Sequence, residues 1–318
     1  MLIFRSFLTT NFLLNCTKTT TRYEQMTRIL LPTLLALFAL PAAAQDGSGL
    51  NYSGEVKLEY LDANSSYWAF AGDAALTWRS GGLFGFDAAV DTVLIDQGSD
   101  FTNYWAAAVL SFGAGELAIG APRPVLMTHE VQPKFGTSRL VDLEISVVRG
   151  GFARIASAED PGMTPGITYT HKLDSVTFAA GYHRIDNSST ELNIYEGLMR
   201  YDGGATQYFI SAEHVSSPSD DATFLSIGAR HDADRFDLGA TLSKINTSDT
   251  TLTARLYGSY DIMPGLSIGA DYFAIQDTDD VYSLGARYET DSGLFVEGGV
   301  SELSGSNEVY DIGVGFSF

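Results

Sequence analysis

Apolar and polar residues alternate with period two along most of this chain, the pattern of strands with one greasy and one wet face. Val56, Leu58 and Tyr60 oppose Glu55, Lys57 and Glu59, and Phe84, Phe86, Ala88 and Val90 oppose Gly85, Asp87, Ala89 and Asp91. Leu252, Ala254, Leu256 and Tyr260 stand against Thr251, Thr253, Arg255 and Ser259 in the same way, as do Tyr282, Leu284, Ala286 and Tyr288 against Ser283, Gly285, Arg287 and Glu289. Seven short turns punctuate these stretches: Ser80-Gly81-Gly82, Gly113-Ala114-Gly115, Asp174-Ser175, Asp202-Gly203-Gly204, Asp232-Ala233-Asp234, Met263-Pro264-Gly265 and Asp291-Ser292-Gly293. Their centres recur about 30 residues apart, with one gap of about 60 between the second and third. Second breaks fall near 62–66, 95–101, 121–163, 186–190, 216–221, 246–250, 277–280 and 304–308. The unit is strand, turn, strand, loop, with ~9–11 residues per strand, the length a tilted strand needs to cross a bilayer. One hairpin per repeat predicts an all-β, up-and-down antiparallel barrel of about 16 strands.

A ring this large is too wide for side chains to fill and leaves an aqueous bore. The apolar face must then meet lipid, and the charged face must line water. Aromatics near strand ends (Tyr60, Trp68, Trp78, Tyr104, Tyr201, Tyr260, Tyr282, Tyr310) fit interfacial girdles. No run of 18 apolar residues occurs in 46–318, so transmembrane helices are excluded there. The expected class is a transmembrane β-barrel.

The N-terminal region reads as an export signal. After Met26 come Thr27-Arg28, an apolar run from Ile29 to Leu40, and Ala42-Ala43-Ala44. That is a charged start, a hydrophobic centre and a small-residue cleavage site over 26–44, leaving 45–318 as the barrel. Residues 1–25 then form either an extension ahead of the true start or a long leading region. The one cysteine, Cys16, lies in the discarded part, so the exported chain carries no disulfide framework. Removing Arg5, Lys18, Arg22, Arg28 and Glu24 leaves 15 basic and 38 acidic side chains, a net charge of −23. Such a field argues against nucleic acid as a ligand and favours cations.

The doubled gap, 121–163, is the third connection on the side opposite the tight turns, and the other connections there are about ten residues or fewer. Five of the seven prolines after residue 44 lie in it or at its edge: Pro122, Pro124, Pro133, Pro161 and Pro165. Proline donates no ladder hydrogen bond, so the stretch is not strand. Leu140, Val141, Leu143, Ile145, Val147, Val148 and Phe152 need burial, so it is not disordered either. Arg139 to Glu144 reads equally as a short helix or a strand.

The strand Glu116-Leu117-Ala118-Ile119-Gly120 entering that loop, the tip Pro133-Lys134-Phe135-Gly136 and the terminal Phe318 resemble the general diffusion porins, particularly the sixteen-stranded porins of alphaproteobacteria. The tip is similar to the Pro-Glu-Phe-Gly of enteric porins, with lysine replacing glutamate. The resemblance covers 45–318 in architecture and only these patches in sequence. It implies a third loop folded into the lumen as a constriction, an assembly signal at Phe318, a homotrimer, and passive diffusion of small hydrophilic solutes and ions with no cofactor. Charged side chains on loop and wall would set the field across such a pore. On the loop the candidates are Arg123, Glu130, Lys134, Arg139, Asp142, Glu144 and Arg149. On the wall, Lys57 and Arg79 lie where the resemblance places basic residues, and Arg200, Arg230, Arg255 and Arg287 share the lumen parity. Asp220-Asp221 and Asp279-Asp280 could hold divalent cations between protein and lipopolysaccharide. The rival classes are a solute-specific channel, for which no aromatic slide is legible although Trp105 and Tyr257 point inward, and an outer-membrane enzyme. For the enzyme, Glu213-His214-Val215-Ser216 is a two-apart His-Ser pair of a kind common by chance, and His129, His171, His183 and His231-Asp232 offer no catalytic set.

Overall fold

The computed structural model describes residues 49–96, 100–129, 132–146, 151–154, 164–186, 191–218, 220–303 and 307–318. The expected leader and N-terminal extension lie outside them. Sixteen strands follow in chain order. The first eight are β1 (Leu50–Asp62), β2 (Ser66–Arg79), β3 (Phe84–Ile95), β4 (Phe101–Phe112), β5 (Gly115–Ala121), β6 (Gly166–Leu173), β7 (Val176–Asp186) and β8 (Glu191–Gly203). The second eight are β9 (Thr206–Ser216), β10 (Asp221–Ala233), β11 (Phe236–Asn246), β12 (Thr250–Met263), β13 (Leu266–Ile275), β14 (Val281–Glu289), β15 (Leu294–Leu303) and β16 (Asn307–Ser317). Every strand pairs antiparallel with its sequence neighbours, and β1 pairs with β16 to close the barrel. Phe318 extends that seam: its N–H donates to the Gly54 carbonyl at 3.0 Å and its carbonyl accepts from Gly54 at 2.9 Å. Closure leaves no sheet edge, which a lipid-embedded sheet requires.

The inner turns are tight because they use the left-handed region. Gly81 and Gly293 sit at φ of +75° and +86°, where a side chain would be strained. The apolar parity points out of the barrel: Leu256, Leu284 and Ile312 are 57–59% exposed, and their strand neighbours Arg255, Ser283 and Asp311 are buried. The aromatics expected at the girdles lie on this outer face, with Tyr60 against Trp68 at 5.2 Å between rings.

The lumen differs from a uniformly charged bore. Towards the outer strand ends the inward parity turns apolar: Leu61, Val93, Phe101, Phe224, Ile245 and Val281 form one cluster with Phe135, Leu140, Val141, Leu143 and Ile145 of the long loop. A second cluster joins Ala153 to Ile185, Ile194 and Val215. The loop is thus held inside the barrel by an apolar collar. Each side chain buried there contributes roughly 1.5–3 kcal/mol. Its described part holds the short helices α1 (Val125–Thr128) and α2 (Arg139–Ser146), and residues 152–154 are helical as well. The open choice over Arg139–Glu144 resolves to helix. Ser138 starts α2, its hydroxyl accepting the Val141 N–H at 3.4 Å and its carbonyl the Asp142 N–H at 3.0 Å.

Candidate pore constriction

The loop tip reaches the wall formed by β12 to β16 and β1. Gly136 takes φ +62° there, and a Cβ on it would lie 2.5 Å from the Ser283 hydroxyl. Gly285 and Gly299, register partners on β14 and β15, lie beneath Thr137. A Cβ on Gly285 would meet the Thr137 methyl at 2.5 Å, so the bare backbone of the wall is what admits the tip. Thr137 donates to Asp311 at 2.9 Å, and Lys57 Nζ donates to the Thr137 carbonyl at 2.7 Å.

Lys57 is 2% exposed and is ion-paired with Glu59 at 2.6 Å and Glu297 at 2.7 Å. Glu59 in turn accepts from the Ser138 hydroxyl at 3.1 Å and the Arg139 N–H at 3.3 Å. Arg255, 1% exposed, pairs with Asp271 and donates to the carbonyls of Pro133 at 2.9 Å and Lys134 at 3.0 Å. Its guanidinium lies over Phe135, which is fully buried, and over Tyr257 at 4.8 Å.

Behind the tip, Arg139 and Arg154 grip Asp91 at 2.8 and 2.7 Å, and Arg154 also binds Asp142 at 3.0 Å. Asp142 accepts the Phe135 N–H at 2.8 Å, folding the tip back on α2. Burial pulls the Arg139 guanidinium towards neutrality, but Asp91 and Asp73 outweigh it and hold its pKa above the usual arginine value. Glu144, half-buried on α2, is pushed by burial up to about 7.

The other candidates keep more water. Lys134 is within 3.3 Å of Asp73 and 3.5 Å of Glu55. Arg79 bridges Asp87 and Glu116 at 2.5 and 3.0 Å, Arg230 holds Asp237 at 2.8 Å, and Arg200 holds Asp202 at 3.2 Å. Arg287 lies over Phe295 and contacts Glu55, Glu289 and Glu297 at 2.8, 2.7 and 3.2 Å. Arg123 stacks over Trp105 at 5.6 Å, near the start of the loop. Glu130 and Arg149 lie outside the described residues. The structure therefore brings Lys57, Arg139, Asp142 and Arg255 together around the tip and distributes the remaining arginines along the wall. The carboxylates that complete these pairs, Glu59, Asp73, Asp91, Asp271, Glu297 and Asp311, were not among the wall candidates, which were cations alone, although Glu59 and Asp91 were placed on the wet face. Their inward parity beside Lys57 and Arg255 was the available signal.

The molecule is thus a sixteen-stranded barrel with its third outer loop packed inside. The sequence model of the Gram-negative porins matches residues 32–318. The chain belongs to that family. As a porin it is an outer-membrane channel for passive diffusion and carries out no enzymatic reaction. Among solved structures it is similar in fold to engineered forms of Rhodopseudomonas blastica porin. A quintuple mutant aligns with TM-score 0.57 and 16% identity, over 85% of this chain and 100% of that one. A triple mutant aligns with TM-score 0.56, 16% identity and the same coverage. Compared with curated protein sequences, the chain matches none significantly.

Proposed function

We propose that this porin prefers cations among the small hydrophilic solutes and ions it passes. The observation that carries the reading is the company of the half-exposed wall cations: each has a carboxylate partner, Arg79 has two and Arg287 has three. Fixed positive charge facing water is thereby neutralised, while the chain as a whole carries a net charge of −20. The excess carboxylate attracts mobile cations and repels anions in a narrow aqueous passage with low-dielectric walls. Reversal potentials across planar bilayers in asymmetric KCl test it. The expected sign is that of potassium permeating faster than chloride; a zero or opposite potential rejects it. A homotrimeric state and lipopolysaccharide contacts, including divalent ions at Asp220-Asp221 and Asp279-Asp280, belong to the same proposal and are supported by family membership. Unboiled samples should migrate as heat-modifiable oligomers; migration as monomers in mild detergent would remove the trimer.

A further inference from the structure

A cavity of about 270 Å³ opens beside the loop tip, on the side towards the tight turns. The tip supplies one wall of it, through Pro133, Lys134, Gly136 and Thr137, and the inward face of β11 to β14 supplies most of the other. Two buried atoms of its lining residues have no hydrogen-bond partner among the described residues: the Tyr257 hydroxyl and Asp237 Oδ1. Tyr257 is 8% exposed and held from both faces. Its hydroxyl lies over the bare backbone of its register partner Gly239, where a Cβ would come within 2.3 Å of the oxygen, and the Arg255 guanidinium covers the ring. Gly239 is two residues from Asp237 on the same face of β11, so the phenol and the carboxylate share one stretch of wall. Ser259, the register partner of Asp237, and Ser267 on β13 add hydroxyls to the same lining.

Charge alone does not explain what such a place receives. Each carboxylate in the lining is already ion-paired: Glu55 and Glu297 with Arg287, Asp271 with Arg255, and Asp237 through its other oxygen with Arg230. The remaining capacity is for hydrogen bonds. An ionised carboxylate only accepts them, whereas a phenol donates as well. Leaving either buried without a partner costs free energy that a ligand recovers by supplying one. A matching ligand therefore carries a donor and an acceptor side by side and brings no net charge.

We propose that this cavity is a retention site for a neutral polyhydroxylated solute of monosaccharide size. One hydroxyl of the solute donates to Asp237 Oδ1, its neighbour accepts from the Tyr257 hydroxyl, and Ser259 and Ser267 complete the set. The inference rests on the reading of this chain as a channel for small hydrophilic solutes and deepens it, because one class of them is held beside the constriction.

The test uses the full barrel, D-glucose as the probe, and the variants Tyr257→Phe, Asp237→Asn and Ser259→Ala. Saturation-transfer NMR of glucose, in a detergent without a sugar headgroup, reads binding independently of conduction; planar-bilayer current reads it in the open pore. Wild type should show saturable transfer and a matching saturable fall in current. Tyr257→Phe and Asp237→Asn should each raise the half-saturating concentration several-fold, and Ser259→Ala should raise it less. Transfer that grows linearly with glucose overturns the inference, as does a half-saturation that is the same in wild type and Tyr257→Phe. Tighter binding of ethylammonium than of glucose also overturns it, because the free Asp237 oxygen would then be selecting a cation. Glucose binding without conductance in any form would instead reject the pore reading. Should Asp237→Asn disturb folding through the Arg230 pair, Tyr257→Phe decides alone, since it removes one oxygen and keeps the ring.

Discussion

The charged side chains inside this barrel fall into two populations, and what surrounds them separates their work. Lys57, Arg139, Arg154 and Arg255 keep at most 7% of their side chains exposed, and each touches the constriction loop or belongs to it. Arg79, Arg200, Arg230, Arg287 and Lys134 keep 23–46% exposed. A buried ion pair contributes little over an apolar replacement of both partners, yet losing one partner strands the other charge at high cost. The exposed pairs are screened by water and salt and hold little energy. The first population thus fixes geometry and the second shapes the field. Similar residue types at the same parity do different jobs because the loop covers one set.

The largest test of that division is Lys57→Met. It leaves Glu59 and Glu297 buried together without their ammonium and removes the donor to the Thr137 carbonyl. Stranding buried charge costs about 3–5 kcal/mol. The expected result is a markedly lower heat-modification temperature with larger, noisier conductance. An unchanged temperature would place Lys57 in the water-facing population. The matched variant Arg79→Met should shift stability by less than about 1 kcal/mol, because its pairs are exposed.

The loop's seat can be broken without touching any charge. Gly285→Ala puts a methyl where the Thr137 methyl lies, 2.5 Å away. Overpacking of this kind costs about 1–3 kcal/mol. The single variant should raise conductance by lifting the tip, and Gly285→Ala with Thr137→Ser should recover most of the wild-type value. Failure of the second change to compensate would show that the wall glycines do not seat the tip. Next in size, Arg79→Met should move the reversal potential further towards cation preference by releasing Asp87 and Glu116, with little change in conductance. An unmoved potential would mean that this site lies off the permeation path.

These contrasts also mark how far the sequence could be read. Strand count and facing follow from a strict two-residue period, and the non-strand character of the long loop from proline placement, both local signals. Its inward fold was implied by the family resemblance instead. Ser66–Arg79 runs from the break expected near 62–66 to the turn expected at Ser80. The pairing of Lys57 across the seam was not legible, because those partners meet only when the barrel closes. Lys57 and Glu297 are 240 residues apart in the chain and neighbours in the lumen. The apolar collar was missed for a related reason. Leu61 and Val93 share a parity with Glu59 and Asp91, and only the loop packed against them explains why that parity changes chemistry towards the outer end.

The smallest expected effect separates the two populations by pH. Glu144 is carried on α2, inside the lumen but outside the spanning strands, and has neither the cation of the fixed set nor full access to water. Burial raises its pKa from the ordinary 4.5 to about 7. An acid whose folded pKa is raised binds its proton more tightly in the folded state. Its contribution is therefore fully present below about pH 4.5, fades as the pH climbs towards 7, and is absent above. Heat-modification temperature should fall modestly across that window, and Glu144→Gln should flatten the fall while leaving the acid-side value nearly unchanged. A steeper decline in the variant, or a decline confined to pH above 8, would show that α2 is not where this proton is held. In that case Glu144 would join the water-facing charges.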